Sequence, residues 1–168
     1  MQNEDARKTL HEAAAENDIQ TINRLVEEGA DVNARDENNW PPLMHAAEKG
    51  SVDAIIALAT NGADINTSNS HLVGAMHIAC YENHADVISA LAAHGADVNA
   101  PDSGGETPLH WADTPDTVTA LVTLGANVNA RDAAQVTPLH VAALEFSGKT
   151  ISALIALGAD VNARNSTL

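Results

Sequence analysis

"TPLHVAA", residues 137–143, is the stretch whose recurrence decides the fold. It returns as "TPLHWAD" at 107–113, "GAMHIAC" at 74–80, "PPLMHAA" at 41–47 and "KTLHEAA" at 8–14. A second phrase, first seen as "GADVNARD" at 29–36, keeps step with it. Its glycine stands at Gly29, Gly62, Gly95, Gly125 and Gly158, with spacings of 33, 33, 30 and 33. Two independent phrases on one period mean one structural unit repeated along the chain. Such a unit buries its apolar face only against its neighbours, so the whole is a quasi-one-dimensional stack.

Each phrase has a physical reading. Thr107 and Thr137 can cap a helix through their hydroxyls. Pro108 and Pro138 then take the first helical position, where a missing N–H costs nothing. The pairs Ala13-Ala14, Ala46-Ala47 and Ala142-Ala143 let neighbouring helices approach closely. A second helix carries larger apolar residues: Ile55, Ile56 and Leu58 in one unit, Val87, Ile88 and Leu91 in the next. The phrase glycine supplies a left-handed stop after that helix, and "ADVNA" leads out into a hairpin-like loop.

The pattern resembles the ankyrin repeat, whose signature is T-P-L-H-x-A at a 33-residue period. The resemblance covers about five repeats. It implies an all-α fold: an ankyrin-repeat solenoid of paired antiparallel helices joined by hairpin-like loops. One domain is expected over 1–168, with repeats near 5–33, 34–66, 67–99, 100–129 and 130–162 and a short tail at 163–168. It further implies that His11, His77, His110 and His140 hydrogen-bond between loops. In eukaryotes the loop asparagine of this family is a known type of hydroxylation target; here that position holds Asn33, Asn66, Asn99, Asn129 and Asn162. A structural role in bonding nearby backbone is the favoured reading.

Several units depart from the pattern. The hairpin-tip position that favours glycine holds Asn39, Leu72, Gly105 and Gln135. Leucine resists a positive φ, so the Leu72 loop is expected to take another shape. Gly74-Ala75 replace Thr-Pro, which predicts a first helix that frays more readily for want of a cap. Met44 replaces the motif histidine, and His45 beside it reads as drift. The fourth repeat is three residues short, the loss falling between Ala112 and Val118. Asp113-Thr114-Pro115-Asp116 reads as a tight turn there, with Pro115 ending one helix and opening the next. Trp111 reads as core that fills the space left; the alternative is a functional aromatic at the edge of a groove. Glu4, Asp5, Arg7 and Lys8 suit a wet capping unit at the start. The last unit, with Ile151, Leu154 and Ile155, is as apolar as the internal ones.

Composition narrows the function. The 168 residues are 45% hydrophobic, yet only 2% aromatic: Trp40, Tyr81, Trp111 and Phe146. The formal charge is −15, and no Lys or Arg stands between Lys49 and Arg131, a span holding nine acids. That argues against nucleic acid and anionic membranes, which need clustered bases. It favours a basic protein partner through long-range attraction. The acids read either as a solvated surface or as a face for a cationic partner. The single cysteine, Cys80, allows no intramolecular disulfide and suits a reducing, cytoplasmic setting. "MQNEDARKTL" shows no apolar signal region, and no apolar run is long enough to span a membrane.

No catalytic motif is present. Cys80 and His84 are four apart, but a helix break near Asn83 and the lack of further ligands argue against a metal site. The loop acids Asp31, Asp36, Asp97 and Asp102 recur with the repeat, which favours structural hydrogen bonding over acid–base chemistry. No cofactor, no metal and no enzyme activity are expected.

Carried over by alignment, the resemblance implies protein binding through the hairpin tips and the concave face. The tips offer Glu37, Asn38, Trp40, His71, Val73, Glu106 and Val136; the first helices add Glu48, Tyr81, Glu82 and Leu144. Trp40 stands at a tip position the fold does not need filled with an aromatic, so it reads as an interface anchor or as a ring folded back over Pro41-Pro42 or the next hairpin. The expected function is a monomeric, non-catalytic protein-binding module. Alternatives are an inhibitor or immunity-type protein masking a basic active site or nucleic-acid-binding surface, and a scaffold fragment of a longer array.

Overall fold

A computed structural model describes residues 8–145 and 147–166. The described chain runs α1 (Leu10–Ala15), α2 (Ile19–Glu27), α3 (Pro42–Lys49), α4 (Val52–Thr60), α5 (Ala75–Tyr81), α6 (Ala85–Ala93), a 3-10 turn (Pro108–Trp111), α7 (Pro115–Thr123), α8 (Pro138–Leu144) and α9 (Gly148–Ala156). No strand forms among the described residues, and one isolated bridge pairs Ser68 with Gly74. The first helices α1, α3, α5, the 3-10 turn and α8 stack in one column. The second helices α2, α4, α6, α7 and α9 stack in another, antiparallel to their partners. The result is the all-α repeat solenoid that the period predicts.

Local chemistry starts and stops each element. Pro108 and Pro138 open their helical segments as expected. Thr9 and Thr137 accept hydrogen bonds from the N–H groups of Glu12 and His140. Thr107 differs: its hydroxyl caps no N–H, and the His110 N–H donates instead to the Thr107 carbonyl at 2.9 Å, which tightens the segment into a 3-10 turn. Gly29, Gly62, Gly95, Gly125 and Gly158 stop the second helices at φ between 87° and 98°, a conformation glycine adopts without steric cost.

The core is thin and made of small residues. Ala13, Ala14, Ala46, Ala47 and Ala79 are fully buried where the first helices meet, and Ile22, Ile55, Leu58, Ile88 and Leu91 where the second helices meet the first. Two expected core positions are not core. Ile56 points outward from α4 and is 42% exposed. Ala143 is exposed on α8, which packs on the 3-10 turn and α9 among the described residues. Gly74 has its own explanation: a Cβ there would come within 3.1 Å of the Thr67 carbonyl. A side chain there would press on that carbonyl, which would have to give by a few tenths of an ångström.

The Leu72 expectation is overturned. Leu72 adopts φ 59°, matching Asn39 at 64°, Gly105 at 82° and Gln135 at 62°. The loop keeps the common shape because Asn69 Oδ1 accepts from the N–H groups of His71 and Val73. Asp36, Asp102 and Asp132 make the equivalent bonds in the other hairpins. An Asx-type turn fixes the backbone, and leucine follows it. The structural role of Asp36 and Asp102 is as expected. Glu4, Asp5 and Arg7 lie outside the described residues.

Units are joined by a ladder. Asn66 Oδ1 accepts from the Asp97 N–H at 2.8 Å, and its Nδ2 donates to the Gly95 carbonyl at 3.0 Å. Asn33, Asn99 and Asn129 repeat both bonds to the next unit. The motif histidines add rungs: His11 to the Ala34 carbonyl, His77 to Glu106 and His110 to Val136. His77 Nδ1 accepts from the Gly74 N–H, so its proton sits on Nε2. Burial pulls the His77 pKa down and outweighs the opposing hydrogen bond to the Glu106 carbonyl.

Candidate functional site

The site is built from the hairpin tips and the ends of the first helices. At the tips the backbone closes on itself through Asp36 N–H to Trp40 C=O, Asn69 to Val73, Asp102 to Glu106 and Asp132 to Val136. Adjacent tips are bonded as well: Ser103 N–H donates to His71 C=O, and Ala133 N–H to Gly104 C=O. The side chains of these last three tips are therefore presented along one hydrogen-bonded strip.

Trp40, on the first tip, is not a free anchor. It is half-buried, its ring 5.4 Å from the ring of His45. His45 in turn bonds Asp36 at 2.9 Å and meets His11 edge-on at 5.5 Å. His45 is thus a working part of this hairpin, correcting its reading as drift. Burial raises the Asp36 pKa, but hydrogen bonds from Trp40, His45 and Asn38 outweigh that and hold it below the ordinary carboxylate value. Glu37, Asn38 and His71 are exposed; Val73, Val136 and Glu48 are half-buried.

The fourth unit shapes the face most. Where its neighbours have full first helices, it has only the four-residue 3-10 turn. Ala112 is already extended, and Thr114 caps α7 through the Thr117 N–H, with Pro115 first in the helix. Pro115 opens the second helix as expected; the first has ended at Trp111. Trp111 differs from its expected place in the core. It is half-buried, packed on the core at one side, and donates Nε1–H to Glu106 Oε2 at 3.0 Å. Its ring meets His77 at 5.5 Å and Tyr81 at 6.1 Å, both edge-on.

The missing turn leaves an open hollow of about 560 Å³. Tyr81 at the end of α5 forms one wall and Glu145 at the end of α8 the other, with Trp111, Glu106 and Asp113 between them. Tyr81 is 67% exposed and Leu144, beside this wall, 75%. Of the expected binding residues, Tyr81 and Glu106 line this hollow, while Glu82 and Leu144 are chain neighbours of its lining residues Tyr81 and Glu145. Glu37, Asn38, Trp40 and Glu48 stand two units away. Trp111 and Asp113 were not among them; the three-residue deletion was the signal that marks both.

Cys80 is fully buried and desolvation pushes its thiol pKa up. His84 bonds the Glu48 carbonyl at 3.1 Å. Among the described residues no group of three or more His, Cys, Asp or Glu is placed to hold a metal ion. No described helix is long and apolar enough to cross a membrane.

Comparison with curated proteins gives no match. A family model described as "Ankyrin repeats (3 copies)" matches residues 1–69 and 71–132, and one described as "Ankyrin repeat" matches residues 135–166. Period, helix pairs, asparagine ladder and these matches agree along nearly the whole sequence: the chain belongs to the ankyrin-repeat family.

Proposed function

We propose that this chain is a non-catalytic module that engages a basic protein through its hairpin tips and the concave face of its first helices. Ankyrin repeats are generally protein–protein interaction modules. The observation that carries the basic character is the pairing of exposed apolar side chains, Tyr81 and Leu144, with a stretch from 50 to 130 that holds no Lys or Arg. Aromatic anchors in a charged rim are the usual make-up of a binding patch. Excess negative charge speeds encounter with a cationic partner. Glu37, Asn38, Trp40, Glu48, His71, Val73, Glu82, Glu106 and Val136 complete the proposed contact surface.

The test is affinity capture from host lysate with the wild-type chain and a Tyr81→Ala/Leu144→Ala variant. Both side chains are well exposed, so the variant keeps its fold, which circular dichroism checks. A basic protein retained by wild type and lost from the variant supports the reading. Equal retention by both moves the contact surface off this face.

A further inference from the structure

The hollow left by the missing turn has a lining that specifies more than a generic partner. Two aromatic rings meet there, Tyr81 and Trp111, 6.1 Å apart at 75°. Glu106 is fixed beside them by its bond from the Trp111 indole. That bond uses only Oε2; Oε1 takes no hydrogen bond among the described residues. Asp113 and Glu145 also line the hollow, with His110 and Asn83 as its other polar groups, and neither acid meets a Lys or Arg among the described residues. The acids of this hollow are therefore unneutralised by any Lys or Arg from within; of the two rings beside them Tyr81 is 67% exposed and Trp111 half-buried.

We propose that this hollow is a socket for one arginine side chain of the partner protein. The proposal rests on the reading of the concave face as the binding face. A guanidinium stacks on Trp or Tyr and draws on the ring's negative face. Its planar fork can meanwhile reach carboxylates with two parallel hydrogen bonds. Lysine offers only a point charge and wastes the second ring. The fourth unit thus gives up a helical turn and gains a recess, with neighbouring helix ends as its walls.

The experiment uses N-acetyl-arginine amide as the probe, with its lysine and citrulline counterparts as controls. Blocked ends mimic an arginine within a chain, and citrulline keeps the shape while removing the charge. The readout is the NMR resonance of the Trp111 indole N–H, assigned against a Trp40→Phe variant. The expected result is a saturable shift with the arginine probe. Binding weakens about tenfold with citrulline, and by a similar factor in Tyr81→Ala. Glu106→Gln keeps an acceptor for the indole and removes the charge, so it separates binding from folding; it is expected to weaken the probe too. No saturable shift at tens of millimolar overturns the socket, as does equal response to citrulline. Tyr81-dependent capture of a partner with no arginine response sinks the socket and leaves the binding face intact. An arginine response alongside capture that ignores Tyr81 and Leu144 leaves a guanidinium site that the partner does not use, and overturns the proposal.

Discussion

The amide of Leu72 donates to the carbonyl of Asn69 at 3.0 Å, closing a turn in which leucine sits at φ 59°. A branched side chain there costs roughly 1–2 kcal/mol. The cost is borne because Asn69 bonds two further amides of the same turn. Leu72 is exposed, so little packing depends on it. Leu72→Gly is expected to raise stability by about 1 kcal/mol, less than the full strain because glycine is freer when unfolded. Urea denaturation at unchanged m value checks it; a loss of stability would mean the leucine packs better than its exposure suggests.

The asparagine ladder is expected to dominate cohesion between units. Asn66→Ala removes two inter-unit hydrogen bonds, a loss of about 1–2 kcal/mol. The matching change at Asn162, whose side chain makes no hydrogen bond among the described residues, should alter stability by no more than about 0.5 kcal/mol. Paired thermal melts compare the two directly, and equal effects would remove the ladder from the account of stability.

Acid should loosen the first unit. The Asp18 pKa is lowered from its ordinary 3.8 to about 2, chiefly by the hydrogen bond from Lys8 and then by the Thr21 N–H. A lowered folded-state pKa means the stabilisation is complete above pH 3.8 and is lost as pH falls toward about 2. Asp18→Asn should flatten that part of the acid-denaturation curve while leaving the neutral-pH fold intact. A curve of unchanged slope would show that other carboxylates govern it.

Cys80 should be silent in the native state. It is fully buried with its thiol pKa raised by desolvation, and reagents attack the thiolate. Labelling by a disulfide reagent is expected only through opening of α5, with a rate that climbs with urea. Fast labelling without denaturant would contradict the burial of this helix.

The sequence made the frame legible and the details less so. The phrase glycines and the motif histidines His11, His77 and His110 announce their roles because each depends on one local or next-unit bond that recurs with the period. His140 departs from the expectation and bonds only Thr137 of its own unit. The Leu72 turn is not legible from leucine's own preference, because Asn69, three residues earlier, dictates it. His45 looked incidental because its partners Asp36, Trp40 and His11 come from two different units. Trp111 was hard for a related reason. The deletion indicated missing volume, but whether the neighbouring helices close over it depends on tertiary packing. They do not, and the indole lies at the margin.

The 3-10 turn at Pro108–Trp111 also bears on how the stack comes apart. In a linear array each unit is held only by those beside it, so cooperativity is transmitted link by link. The first-helix column passes through a single short turn here, while the second-helix column runs unbroken through α6, α7 and α9. Opening that begins at the α9 end therefore has a natural place to halt. Amide exchange should divide the chain into two blocks that meet at this turn, the later one opening at lower free energy than the earlier.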